Sequence, residues 1–156
     1  MGMKILRFTR LVLLAIALAS PLSGKAAENR QPIAAGDIEI FYGVMPASVL
    51  LAHPADHPER TMHGGIKITS STYHLLISIF DTKKRERITD ALMHATVRKS
   101  GLAPQTKPLE TMPMAGVINY GNYFTIGESG TYRITLDINR PGSASPIQAT
   151  FDYVHR

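Results

Sequence analysis

The sequence predicts an all-β protein: an immunoglobulin-like antiparallel β-sandwich of about seven strands, preceded by a cleavable signal peptide. Three observations lead there. Apolar residues alternate with period two through most of the chain. Clusters of Gly, Pro, Asn, Asp and Ser separate the alternating runs. Beyond the leader, no apolar run combines helical period with helical length. Side chains on a strand point alternately to its two faces, so such runs build sheets with one face turned to a core.

The strands follow in order. DIEIFYGVM, residues 37–45, is the first. In TYHLLISIFD, Tyr73, Leu75, Ile77 and Ile79 share one face and His74, Leu76, Ser78 and Phe80 the other. Both faces are largely apolar, which places this strand centrally in its sheet. In DALMHATVRK, Ala91, Met93, Ala95 and Val97 point inward. Two shorter candidates, PLETM and NYFTI, come next. TYRITLDIN turns Tyr132, Ile134, Leu136 and Ile138 to the core, and IQATFDYV closes the set with Ile147, Ala149, Phe151 and Tyr153 inside. KKRER, SGLAPQTKP, GESG and RPGSASP supply the turns between them. The YGNYF stretch reads either as a tight turn with core aromatics or as an aromatic interface.

The chain has 156 residues, room for one domain. Residues 1–26 read as the signal peptide. Lys4, Arg7 and Arg10 form its positive end, and Leu11–Ala19 is an apolar run too short for a bilayer, which takes ~20 residues. Gly24-Lys25-Ala26 fits the small-x-small cleavage rule. Residues 27–35 read as a flexible tail, and residues 36–156 as the sandwich, with a long loop at 46–71. Four of the 17 basic residues and none of the 12 acidic ones lie in the leader. The formal charge of +5 therefore falls to +1 in the mature chain, 13 basic against 12 acidic. That balance offers no electrostatic footprint for nucleic acid. The mature chain also contains no segment for stable membrane insertion. Together with export and the absence of cysteine, this points to the periplasm.

Without cysteine there is no thiolate zinc site, iron–sulfur cluster, cysteine nucleophile or ordinary blue-copper ligation. GESG is not a G-x-S-x-G elbow, and no carboxylate pair stands out, so the reading is non-enzymatic. The segment HPADHPERTMHGG carries His53, His57, Met62 and His63. Pro54 and Pro58 oppose a helix there, so any site must form by loop folding. With Met112 and Met114 these residues make a candidate metal set, since Cu(I) accepts thioether sulfur and imidazole serves copper and zinc alike. Copper is the first choice and zinc the second. The same residues also fit a surface loop and core filler. Gly64-Gly65 reads as a turn, and KKRER as a solvated hairpin tip or a docking point for an acidic partner.

ITDALMHATV, TMPMAG, YGNYFTIGESGTYRITLDINRPG and QATFDY, taken in this order, resemble the small exported immunoglobulin-like domains of the YtkA-like and FixH-like group. That group is related in architecture to copper-resistance CopC-type domains. The resemblance covers Tyr73 to Tyr153 and implies the sandwich fold and a link to copper. It does not carry over the N-terminal Cu(II) site of CopC-type proteins, because no histidine stands at the mature N-terminus. The resulting expectation is a non-enzymatic periplasmic protein that handles copper through a His/Met cluster. The alternative is an interaction or assembly module for an envelope protein partner, in which the long loop and Tyr120 to Phe124 form the contact surface.

Overall fold

The computed structural model describes residues 32–52, 54, 67–114 and 116–156. The expected signal peptide and residues 27–31 lie outside them. The strands are β1 (Ile33–Ala35), β2 (Ile38–Pro46), β3 (Thr72–Asp81), β4 (Leu92–Arg98), β5 (Gln105–Met114), β6 (Val117–Thr125), β7 (Gly130–Asn139) and β8 (Ile147–His155). A 3-10 helix, Ala47–Ala52, follows β2 directly. Pairing runs β1-β2-β3-β6-β5-β4-β7-β8 and is antiparallel throughout. β1 also touches β8, so the sheet folds round until its two ends nearly meet. Among the described residues no helix is long and apolar enough to cross a membrane.

The two layers are joined through β5. Its first half, Gln105–Leu109, pairs with β4, and its second half, Glu110–Met114, pairs with β6. The antiparallel sandwich matches the expectation, with eight strands instead of about seven. The added strand is β1, which occupies residues 33–35 of the expected tail. It is too short to show alternation, and it exists because Gly36, at φ 60°, turns the chain tightly back into β2.

The core forms where the alternation said it would. Ile38, Ile40, Leu75, Ile77, Ile79, Ala95, Ile134, Leu136 and Ile138 are all 2% exposed or less. β-branched side chains dominate because they pack well on a pleated surface. KKRER is the hairpin tip leaving β3. Asp81 Oδ1 accepts from the Lys83 and Lys84 amides at 2.9 Å each, and Arg85 takes φ 57°. Arg140 ties this end together by donating to Asp37 at 2.9 Å and to Asp81 at 3.1 Å. YGNYF is not a turn. It lies inside β6, with Tyr120, Tyr123 and Phe124 all 2% exposed or less. The rings are packed inside because the two faces of β6 lie against the core and against the 3-10 helix.

Candidate metal centre

The outer face of β3 is where the fold departs from a simple half-wet sheet. His74 is 4% exposed although it points away from the core. Register explains the burial. His74 stands opposite Met45 on β2 and Tyr123 on β6. Its ring packs on Tyr123 with centroids 4.8 Å apart at 33°. Tyr123 in turn lies under Ala47 and Leu50 of the 3-10 helix and against Ile68, forming a small second core on this face.

Two residue rows along, β5 brings Met112 to the same face, opposite Asn119. Met112 is 2% exposed, yet it stands outside the main core cluster. Between the two rows lies Gly121, opposite Leu76 on β3 and Glu110 on β5. A Cβ built on Gly121 would fall 2.6 Å from Met112 Sδ, 2.8 Å from His74 Nε2 and 2.9 Å from the Leu75 carbonyl oxygen. The thioether sulfur and the buried imidazole nitrogen therefore converge over one bare Cα. They can be no further apart than the sum of the first two distances.

The donor types fit a soft ion. Imidazole and thioether are copper ligands, with thioether favouring Cu(I), whereas zinc takes imidazole, thiolate or carboxylate. Among the described residues no group of three or more His, Cys, Asp or Glu could hold a metal. His94 is exposed on β4, opposite Asp137 in the other layer, and does not join this face.

Of the candidates read from the sequence, Met112 is on this face. The backbone of Met114 is in β5 opposite Val117, and its side chain lies outside the described residues. His53, His57, Met62 and His63 lie outside them too. The chain on either side of that segment is anchored here, since Leu50 and Ile68 both pack with Tyr123. In the sequence His74 is only a histidine off the core face of its strand, and nothing there marks Met45.

No protein-family model matches the chain, and no curated protein matches it. Solved structures do. A DUF4426 family protein from Pseudomonas aeruginosa PAO1 superposes with a TM-score of 0.61 at 16% identity, over 80% of this chain and 93% of that one. A copper-bound variant of FetP from uropathogenic Escherichia coli gives the same values, 0.61, 16%, 80% and 93%. A copper-bound variant of Campylobacter jejuni P19 gives 0.59 at 14% identity, over 80% and 93%. What they share with this chain is the fold. None of the three bears the YtkA-like, FixH-like or CopC-type name, so the likeness expected from the sequence holds at the level of a related sandwich architecture.

Proposed function

We propose that the protein is an exported, non-enzymatic periplasmic protein that binds copper, with His74 and Met112 as donors on the outer face of the β3–β6–β5 layer. The observation that carries this reading is the convergence of a buried imidazole nitrogen and a thioether sulfur over Gly121. The copper-bound state of two fold neighbours supports it. In this reading His53, His57, Met62 and His63 are further candidate donors, since the chain before and after their segment, at Leu50 and Ile68, packs in the cluster with Tyr123. The ion is cargo, and the rigid sandwich holds the donors in place. Zinc fits less well, since a thioether adds little for it.

The test is anaerobic titration of the mature chain with Cu(I) in competition with a chromogenic chelator. Met112→Leu conserves volume and should leave the fold intact while weakening Cu(I) binding about 100-fold, a loss of ~2.7 kcal/mol. Unchanged affinity in Met112→Leu would defeat the assignment. The His53/His57/His63 triple alanine variant separates the loop from the sheet: if it binds as tightly as the parent, the loop histidines are not ligands.

The far half of the same face favours a second reading, contact with another envelope protein. Phe41 is 41% exposed, packs edge-on to Phe80 at 5.6 Å, and stands beside Arg87, whose guanidinium lies 4.6 Å over the Phe80 ring. A photo-crosslinker at Phe41 that captures no more envelope protein in cells than one at Leu92 would remove this reading.

A further inference from the structure

We infer that Gly121 is the residue that turns His74 and Met112 into one seat, and that the seat selects a monovalent soft ion, Cu(I) or its analogue Ag(I), over Zn(II). The inference rests on the copper reading above and adds to it the determinant and the class of ion. It begins with a conflict in the sequence. β6 is a central strand, and glycine in a central strand loses more backbone entropy than any other residue and packs no side chain. Gly121 has no positive φ to account for it. What accounts for it is space.

A Cβ at this position would lie 2.6 Å from Met112 Sδ and 2.8 Å from His74 Nε2. Non-bonded carbon contacts settle at ~3.5–4.0 Å, so each donor would have to retreat by roughly 1 Å. Both would move away from the same point, and so away from each other's reach. With glycine, the two donor atoms face a common opening above one Cα. An ion held by nitrogen at ~2.0 Å and sulfur at ~2.3 Å needs its donors within about 4.3 Å of one another. The two Cβ distances cap the donor separation at their sum, which exceeds that value, so an ion seats by drawing the two side chains together over Gly121.

Selectivity follows from the kind of donor. One imidazole and one thioether satisfy Cu(I), which is soft and accepts low coordination. Zn(II) requires about four donors, favouring thiolate, imidazole and carboxylate. The thioethers that this face supplies, Met112 and Met45, suit a soft monovalent ion and add little for Zn(II). Met45, opposite His74 on β2, places one more thioether on this face and biases it further toward a soft ion.

The mature full chain is titrated with Cu(I) under anaerobic conditions and, in parallel, with Ag(I) followed by NMR. The expected result for the parent is a joint shift of the Gly121 Hα, Met112 methyl and His74 ring resonances with Ag(I), and no shift of that set with equimolar Zn(II). Gly121→Ala should lower Cu(I) affinity by at least tenfold, at a far-UV circular dichroism spectrum like the parent's. A parent that binds Cu(I) while Gly121→Ala binds equally well overturns the inference and leaves the copper reading standing. A parent that binds neither ion overturns both. The Leu75 carbonyl 2.9 Å from the added Cβ is backbone, so Gly121→Ala can fail to fold. In that event the parent's NMR decides: Ag(I) moving the Met112 methyl with Gly121 Hα unmoved, or Zn(II) moving the same set, overturns it.

Discussion

Tyr120→Phe tests how the β3–β4 connection is held. Tyr120 is fully buried, and its hydroxyl accepts from the Ala91 amide at 3.0 Å and donates to the Ile88 carbonyl at 3.2 Å. Both partners are themselves buried, at 5% and 8% exposure. Removing the oxygen leaves one amide and one carbonyl stranded where water has poor access. Each stranded group costs about 1–3 kcal/mol, and partial relaxation of the connection brings the sum to roughly 2–4 kcal/mol. Against a typical domain stability of ~5–15 kcal/mol this is large. With a urea m-value of ~1–3 kcal/mol/M, the midpoint should fall by about 1–2 M. Tyr132→Phe is the internal control. Its hydroxyl makes the same two kinds of bond, to the Glu128 amide at 3.2 Å and carbonyl at 3.0 Å, but Glu128 is exposed. Water can replace those bonds, so the loss should be ~1 kcal/mol or less. Urea unfolding of residues 27–156, followed by circular dichroism, measures both. Equal midpoints for the two variants would refute the claim that burial of the partners, not the bonds themselves, sets the loss.

Three further outcomes follow. Burial holds the Tyr120 hydroxyl above its ordinary value of 10.0, with Asp90 acting in the same direction and the Ala91 amide opposing. The folded state thus keeps a proton that the unfolded chain releases, so stability should fall as pH rises beyond about 10, and Tyr120→Phe should flatten that fall in melting scans. The Asp81 carboxylate is held below its ordinary 3.8, first by the Lys84 amide and then by the Lys83 amide and Arg140, against the opposing effect of burial. Its contribution is therefore present above that value and lost as pH drops through the lowered one, and Asp81→Asn should show a weaker acid dependence of its melting temperature below pH 4. Neighbours on β4 should respond unequally to truncation: Leu92→Ala, at 72% exposure, should change stability by no more than ~0.5 kcal/mol, and Met93→Ala, at 2%, should cost about 2–5 kcal/mol in the same urea assay.

How much of this was legible depended on the length of the alternating run. β3 was read to its observed bounds, and β2, β4, β7 and β8 to within two residues at either end, because unbroken period-two patterns of seven or more residues leave one solution. β5 and β6 were seen at half their length. Pro108 and Pro113 interrupt the pattern of β5, Gly121 interrupts that of β6, and β5 changes partner half-way, so neither face stays consistently apolar. The candidate metal centre was legible only as a set of residue types. His53, His57, Met62 and His63 announce themselves by composition. The meeting of His74 with Met112 does not, because the two are 38 positions apart and on strands that never pair with each other. Only the registers of β3 with β6 and of β6 with β5 bring them to one face, and register is a property of pairing that no single strand's sequence contains.

The change of partner along β5 also governs how the molecule can come apart. Since one unbroken segment is stitched into both layers, they cannot part like the covers of a book, and loss of structure must start at an outer strand and run inward like a zipper. Of the two outer strands, the three-residue β1 offers by far the shorter ladder. Amide hydrogen exchange should therefore be fastest at Ile33–Ala35 and slowest on β6 and β5, deep in the order of strands, where the Met112 sulfur is carried.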